Sequence, residues 1–381
     1  MSTSAVRPPI GDPVQIDESA GAPAGPGLPA DHPLMDGRTA GSSLVRAFRG
    51  ERPRERAVWF MRQAGRSLPE YRSLRAGTAM LDACLDPEMA SEITLQPVRR
   101  HGVDAAVFFS DIVVPLKLAG IDVEIVPGTG PVVAEPLRSR AQIEALPTLD
   151  PAALTPISEA VARCVAALGS TPLVGFAGAP FTVASYLVEG GPSKDHLITK
   201  AMMLGDPGTW TLLTDWVASV TGAFLRAQAI AGASALQLFD SWAGHLSEQQ
   251  YRAGAQGPSA QVLDLVSELP QPKVHFGVGT SELLIAMREA GADVIGVDHR
   301  LPLDEASHRL GGSTPLQGNI DPAALFTDPD TRARHVRQVL DAGASAPGHV
   351  VNLGHGVPPS TDPAVLTRLV ELVHSLPDPA A

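Results

Sequence analysis

The chain has 381 residues, of which 44% are hydrophobic and 18% charged, a balance typical of a globular protein with a sizeable core. Its formal net charge of −12 argues against general affinity for nucleic acid or anionic membranes, so an anionic ligand would need a local cluster of basic residues. No apolar run approaches the ~18 residues needed to span a bilayer, and the N-terminus lacks a charged start followed by an apolar stretch, so neither membrane insertion nor secretion is expected. Two cysteines without CxxC spacing predict a reduced, cytoplasmic protein.

The first part of the chain is crowded with Pro, Gly, Ala and Ser and shows no hydrophobic period. Such a composition cannot offset the entropy of ordering the backbone, so residues 1–41 are predicted to form a disordered extension. The folded domain is expected over residues 42–377. It opens with the arginine-rich stretch SSLVRAFRGERPRERAVWF, for which a solvated helix and turn is favoured over a polyanion-binding arm.

Short apolar runs recur through the rest of the chain, each bounded by turn residues and separated by segments with a helical period. In chain order they are AVWFM, AAVFF, PLVGF, ALQLF, KVHFG, DVIGV, PLQGN and HVVNL. Eight strands alternating with helices predict a (β/α)8 barrel, with a doubly wound open sheet as the alternative. Extra elements are expected in the longer intervals, namely the strand-like VEIVPGTGPVV and helices between Trp210 and Gln228.

Unusual polar residues follow these apolar runs directly. Because catalytic groups of a barrel enzyme gather at the C-terminal ends of its strands, these residues are expected to converge on one cleft. They are Arg62, Arg66, Asp111, Asp240, Ser241, His299, Asn319 and His355.

The string WFMRQAGRSLPEYR places Arg62 and Arg66 on either side of a flexible Ala-Gly pair. A guanidinium group binds carboxylate in a bidentate fork and keeps its charge when partly dehydrated, so the string indicates an anion-binding loop. A surface loop with ordinary ion pairs is the alternative.

Asp111 follows two phenylalanines and a serine, so its carboxylate should emerge from the core with apolar walls behind it. Burial would raise its pKa, and nearby arginines would oppose that shift. An ionised aspartate in such a pocket accepts N–H bonds and stabilises positive charge on a heterocycle. The alternative is a helix N-cap ahead of IVVPLKLAG.

Two further candidates lie beside glycines. Tyr186 belongs to GFAGAPFTVASYLVEGG, which suits either a close-approaching backbone with a tyrosine over a ligand or tight helix packing. His355 in NLGHGVPP has glycines on both sides that let its imidazole point into a cleft, where it suits proton transfer or a hydrogen bond to a carboxylate. A satisfied structural histidine is the alternative. His245 and His299 lack that flank.

Several common site motifs are absent from the sequence. It contains no GxxxxGK[ST], HExxH or GxSxG pattern. In FGVGTSELL, Glu282 occupies the third glycine position and would repel a pyrophosphate, which argues against a dinucleotide site there.

Taken together, the strings resemble the uroporphyrinogen decarboxylase family over residues 43 to 374. They are MRQAGRSLPEYR, FSDI, GAPFTVASYLVEGG, FDSWAGHL, HFGVGT, GVDHRLPLDEA, QGNIDP and NLGHGVPP. The resemblance implies a homodimer of single distorted (β/α)8 (TIM) barrels that converts uroporphyrinogen III to coproporphyrinogen III by releasing CO2 from four acetate side chains. It implies no metal, flavin, pyridoxal phosphate or other cofactor.

Carried over position by position, the resemblance also implies a set of site residues. Asp111 would be the central catalytic carboxylate and Arg75 a further anion contact. The residues themselves indicate Arg62, or His355 or Tyr186 acting with water, as candidates for delivering a proton. The substrate-binding set would be Arg62, Gln63, Ala64, Gly65, Arg66, Asp111, Tyr186, Ser241 and His355.

The chain departs from the family pattern at Ser67, where an aromatic is common, and in YRAGAQGPSAQVLDLVSEL, which lacks an expected proline and tyrosine pair. Two other functions compete. A zinc-dependent methyltransferase of the same superfamily would need a thiolate two residues after a histidine, yet Phe276 and Gly277 follow His275. A non-catalytic tetrapyrrole carrier would bind porphyrin without releasing CO2.

Overall fold

The computed structural model describes residues 27–376 and residue 378. Its strands are β1 (Ala106–Val107), β2 (Val123–Val126), β3 (Gly130–Val133), β4 (Leu173–Gly178), β5 (Ala235–Phe239), β6 (Lys273–Phe276), β7 (Val294–Gly296), β8 (Leu316–Gln317) and β9 (His349–Val350). Each apolar run other than AVWFM overlaps one strand of the main sheet. The additional strands β2 and β3 pair as an antiparallel hairpin where VEIVPGTGPVV predicts extra structure.

Helices connect and cover these strands. They are α1 (Ser43–Phe48), α2 (Pro69–Leu74), α3 (Met80–Leu85), α4 (Pro87–His101), α5 (Val114–Leu118), α6 (Arg140–Glu144), α7 (Thr155–Leu168), α8 (Pro180–Glu189), α9 (Leu197–Gly205), α10 (Pro207–Ala231), α11 (Glu248–Gly254), α12 (Gln256–Asp264), α13 (Leu284–Glu289), α14 (Leu303–Arg309), α15 (Pro329–Gly343) and α16 (Pro363–His374), with 3-10 turns at Pro151–Leu154, Ala243–His245 and Pro322–Phe326. Several begin at an aspartate cap followed by proline. Asp86, for example, accepts the N–H groups of Glu88 and Met89 at the start of α4.

The main sheet is parallel and runs in the order β1-β4-β5-β6-β7-β8-β9. Each crossover leads to the neighbouring strand without reversal, so the sheet curls into a barrel, and the alternative of a doubly wound sheet is wrong. Strand β4 is buried along its whole length, as expected for a parallel strand covered on both faces.

The first predicted strand is reduced to a single bridge. Val58 pairs in parallel with Val351, next to β9, and its carbonyl accepts the N–H of Asp104, just before β1. The Val58 N–H donates to the Asp104 carboxylate at 2.8 Å, so that on the side facing β1 a side chain takes the place of the next backbone hydrogen bond between the strands. The segment still joins the two edges of the sheet, and the predicted eight-part barrel is confirmed in this distorted form.

Part of the predicted N-terminal extension packs on the barrel. Residues 27–41 are turns, in which the His32 imidazole lies 3.0 Å from the Ala229 carbonyl oxygen and the Thr39 hydroxyl 2.8 Å from that of Ser234. The expectation of disorder up to residue 41 therefore fails for this part, because buried hydrogen bonds compensate the ordering of the backbone. Residues 1–26 lie outside the described residues.

The arginine-rich stretch forms α1 and a turn, as favoured from the sequence. Arg52 donates to the carbonyls of Ala344 and Ala346 at the end of α15, and Arg56 donates to the Leu376 carbonyl after α16. These two guanidinium groups thus satisfy carbonyls that the helices leave without an internal partner.

Candidate active site

A cavity of about 1250 Å³ opens at the C-terminal ends of the strands. Its wall combines the loop that follows the Val58 segment, the ends of β1, β4, β5 and β6, the β2–β3 hairpin, and residues 355–359. Phe176, Phe239 and Phe276 supply an apolar side of the cavity, while arginines supply positive charge. The cavity is therefore large enough for a bulky ligand that is both polyanionic and apolar.

Arg62 and Arg66 both line the cavity and are exposed to it. Within the described residues neither guanidinium group has a hydrogen bond or an ion pair, whereas the other arginines of this wall are engaged: Arg72 donates to the carbonyls of Arg66 and Ser67, and Arg75 to that of Thr78. The ordinary ion pairs of a surface loop are therefore not what holds Arg62 and Arg66. Both groups are available to an anionic ligand.

The backbone at Arg62 is unusual. Its φ is 60°, in the left-handed region that a residue with a side chain rarely adopts. The Arg62 side chain passes directly over Gly356, where an added Cβ would lie 2.5 Å from Arg62 Cδ. The absence of a side chain at Gly356 therefore makes room for the arginine side chain.

The Gln63 side chain is turned away from the cavity. It is completely buried, its Oε1 accepts the Phe60 N–H at 2.9 Å, and its Nε2 donates to the Ala105 carbonyl at 2.9 Å. Its neighbours Ala64 and Gly65 line the cavity. The structure thus brings four of the five predicted loop residues to the wall, and the Gln63 side chain serves the loop itself.

Asp111 lines the cavity where the chain leaves β1. Burial raises the pKa of its carboxyl group, and the N–H groups of Val113 and Ile112 and the positive charge of Arg62 oppose that rise. Its Oδ1 accepts the Val113 N–H at 3.1 Å, which caps the turn before α5. The two alternatives from the sequence are thus compatible, because the same carboxylate caps a turn and faces the cavity.

Tyr186 on α8 and Ser241 after β5 line the same wall. The Tyr186 ring lies 4.0 Å, centroid to centroid, from that of Trp242, which in turn lies 4.3 Å from the imidazole of His196. Burial raises the pKa of Tyr186, the charge of Asp111 raises it further, and Arg62 lowers it. The phenol therefore stays protonated at neutral pH and is a hydrogen-bond donor.

His355 completes the set at the cavity edge. Burial and the nearby charge of Arg62 lower the pKa of its imidazole, while a backbone bond to Gly356 opposes that shift. At neutral pH His355 is accordingly uncharged.

Three other residues predicted for the cleft are not on the cavity wall. Asp240 is buried between Phe239 and Ser241 and accepts the Thr182 hydroxyl at 2.7 Å, with His275 Nε2 at 3.6 Å. Asn319 donates to two backbone carbonyls, and His299 lies against Gly354. The ends of β7 and β8 lie outside the cavity, which explains the latter two positions.

Some wall residues were missed by sequence reasoning. Trp242 stands next to Ser241 in FDSWAGH, and its place beside a predicted site residue was the available signal. The β2–β3 hairpin, with its turn at Pro127 to Gly130, also lines the cavity, and nothing in its sequence indicates that it reaches the site.

Comparison with known proteins identifies the family. The family model described as uroporphyrinogen decarboxylase (URO-D) matches residues 39–376. The chain belongs to the uroporphyrinogen decarboxylase family. A protein of that name from Arthrobacter sp. (strain FB24) is 64% identical, over 90% of this chain and 99% of its own length. One from Leifsonia xyli subsp. xyli (strain CTCB07) is 61% identical, over 91% and 98%.

Membership in the uroporphyrinogen decarboxylase family makes the chain a carboxy-lyase and disfavours the methyltransferase alternative. A methyltransferase from Methanosarcina mazei has a similar structure, with a TM-score of 0.73 over 88% of this chain and 98% of its own, at 19% sequence identity. At that identity the likeness shows the barrel fold alone. His275 lies in the core beside Asp240, and Cys84 and Cys164 are buried away from the cavity wall.

No helix in the described part of this URO-D family member is long and apolar enough to cross a membrane. The two departures from the family pattern fall in ordered structure. Ser67 is buried in the loop that carries Arg62 and Arg66, called the arginine loop below. The YRAGAQGPSAQVLDLVSEL segment forms part of α11 and all of α12.

Proposed function

We propose that this decarboxylase acts on uroporphyrinogen III and releases CO2 from its four acetate side chains to give coproporphyrinogen III. The observation that carries the proposal is that Asp111 lines the same cavity as Arg62, whose guanidinium group has no partner among the described residues. Uroporphyrinogen is a flexible polyanion with apolar pyrrole faces. The free guanidinium groups of Arg62 and Arg66 suit its carboxylates, and the phenylalanine wall suits its rings.

The chemistry requires a place for the electron pair left by CO2. An electron-rich pyrrole accepts it only after protonation on a ring carbon, which makes the ring a cation. The acetate C–C bond then breaks, CO2 leaves, and the electron pair enters the cationic ring. A proton adds to the former acetate carbon to give methyl, and loss of the ring-carbon proton restores the pyrrole, so that each cycle consumes one proton net.

Asp111 is proposed to accept the pyrrole N–H bonds and stabilise the cation, which is preorganised electrostatic catalysis. Burial raises the pKa of this carboxyl group, and the positive charge of Arg62 opposes that rise. Tyr186 and His355, protonated phenol and neutral imidazole, are proposed to donate hydrogen bonds to substrate carboxylates and, with water or Arg62, to deliver the proton. Ser241 and the loop backbone at Ala64 and Gly65 are proposed to contact the substrate.

The homodimer and the cytoplasmic location are proposals as well. Helix α9, which follows the cavity loop at Pro192 and Ser193, exposes the apolar side chains of Leu197 and Leu204 by 69% and 64%. Burial of such a strip against a second copy would remove that surface from water. The two free, buried cysteines suit a reducing compartment.

Anaerobic incubation of the purified protein with uroporphyrinogen III tests the activity directly. After oxidation, the porphyrins are separated by carboxyl count, and we expect eight-carboxyl material to convert to four-carboxyl product with release of CO2. Tight binding with the eight-carboxyl material unchanged would instead indicate a carrier and refute the proposal.

A further inference from the structure

The arginine loop holds a backbone conformation that its own sequence does not favour. Arg62 has a φ of 60°, and glycine, not arginine, is the residue that adopts this region freely. Such a conformation persists only where surrounding contacts fix it. Bonds to residues on both sides of Arg62 must therefore come from elsewhere in the barrel.

Asn352 supplies one of these bonds from the opposite end of the sequence. Its side chain is completely buried, and its Oδ1 accepts two backbone N–H groups, from Met61 at 3.0 Å and from Leu353 at 2.9 Å. Only the amide oxygen can accept, so the two donors fix the orientation of this side chain. One oxygen atom thus joins the residue before Arg62 to the segment that carries His355.

Further hydrogen bonds hold the residues on either side of Arg62. The Val357 N–H donates to the Met61 carbonyl at 2.9 Å, so both polar groups of the Met61 backbone are bonded to residues 352–357. Gln63, on the other side of Arg62, bonds to Phe60 and to Ala105 ahead of β1, the strand that leads to Asp111.

We propose that Asn352 is a positioning residue for the decarboxylase, acting through Arg62. It ties the arginine loop to the His355 loop, so that guanidinium, imidazole and the Asp111 carboxylate face one cavity. Asn352 itself does not line that cavity. The inference rests on the proposed function, because its effect appears only if Arg62 takes part in substrate turnover.

Two variants of Asn352 can separate the role of its amide oxygen from that of its amide nitrogen. Its Nδ2 is buried and has no hydrogen-bond partner among the described residues, so the acceptor oxygen is the functional atom. Asn352→Leu keeps the branched shape of the side chain without an acceptor, whereas Asn352→Asp keeps the acceptor and gives up no bond. If Asn352 acts by its oxygen, the aspartate variant should be far more active than the leucine variant.

The experiment measures kcat/KM for uroporphyrinogen III decarboxylation in both variants, in Arg62→Ala, and in the double variant Arg62→Ala with Asn352→Leu. Circular dichroism verifies the fold. A misplacement of about 1 Å costs about 100-fold in rate, so we expect a loss of that order in Asn352→Leu and a loss within about tenfold in Asn352→Asp. In the Arg62→Ala background, Asn352→Leu should cost less than about threefold more, because the positioned group is already gone.

Gln271→Ala serves as the matched control. Gln271 is a buried amide that donates to the carbonyls of Ala229 and Ala233 outside the cavity, and its removal should leave kcat/KM unchanged. A general loss of packing would lower activity in this control as well, and would make the Asn352 and Arg62 effects multiply. Either result would overturn the inference.

The remaining outcomes separate the inference from the function on which it rests. Wild-type turnover by Asn352→Leu, or equal losses in the leucine and aspartate variants, overturns the role of Asn352 while Arg62→Ala stays impaired. Wild-type turnover by Arg62→Ala would show that Arg62 takes no part in the reaction. It would overturn both the proposed role of the arginine and the inference, because Asn352 is proposed to act through Arg62.

Discussion

Gly356 offers a direct way to displace Arg62 while leaving its charge and the fold in place. An alanine Cβ at this position would lie 2.5 Å from Arg62 Cδ and 2.9 Å from Cγ. Carbon atoms in contact prefer a separation of about 3.5–4.0 Å, so the arginine side chain has to move by about 1 Å. Gly356 does not have a positive φ, and alanine therefore fits its backbone.

Such a displacement should separate activity from stability. The atoms in the way belong to an exposed, flexible side chain, so Gly356→Ala should change the free energy of unfolding by less than about 1 kcal/mol. Misplacement of the guanidinium by about 1 Å should lower kcat/KM about 100-fold. The assay is anaerobic decarboxylation of uroporphyrinogen III, with urea denaturation in parallel.

Gly257→Ala is the matched control for this prediction. It introduces the same methyl group into α12, where nothing lies within 4 Å of the new Cβ, and it should be fully active. Wild-type kcat/KM in Gly356→Ala would refute the reasoning, because the reaction would then tolerate displacement of Arg62.

Three further predictions concern the surroundings of the site and the fold. Burial lowers the pKa of both His101 and His196 from 6.5 to about 4, so the unfolded chain binds protons more readily below pH 6.5. The contribution of these histidines to the free energy of unfolding should be fully present above pH 6.5 and be lost toward pH 4. In urea titrations the loss should be about 1 kcal/mol per histidine between pH 7.5 and 5.5, and an equal free energy of unfolding at both pH values would contradict this. His32→Ala should cost about 1–2 kcal/mol in the same assay, because it removes the buried contact with the Ala229 carbonyl and the ring nitrogen that accepts the Leu34 N–H; an unchanged midpoint would show that the N-terminal turns contribute nothing. Tyr186→Phe keeps the ring against Trp242 but removes the hydroxyl, and should lower kcat/KM about 10- to 100-fold with unchanged stability; wild-type turnover would exclude a role for the phenol.

Much of the fold was predictable because its signal is local. Each apolar run marks a segment buried on both faces, and the order of eight such runs indicates the barrel. The sequence did not reveal that Val58 would form only one bridge, since that depends on the Asp104 side chain taking a ladder position. Nor did composition reveal that residues 27–41 pack on the barrel, because those bonds are to distant residues.

The candidate site was predictable in part for the same reason. Strand ends pointed to Asp111, Ser241 and His355, which do meet in one cavity. Asp240, His299 and Asn319 were predicted there too, and none of them lines the cavity. Successive residues at a strand end point to opposite sides, and a one-dimensional pattern does not say which one faces the ligand.

The rate of CO2 release by Asp111→Asn measures the role of the Asp111 carboxylate most directly. The substitution keeps the size of the side chain and removes the negative charge proposed to stabilise the cationic ring. It should lower kcat about 100- to 1000-fold, while Asp215→Asn on the exposed face of α10 remains fully active. Wild-type turnover by folded Asp111→Asn would contradict the account.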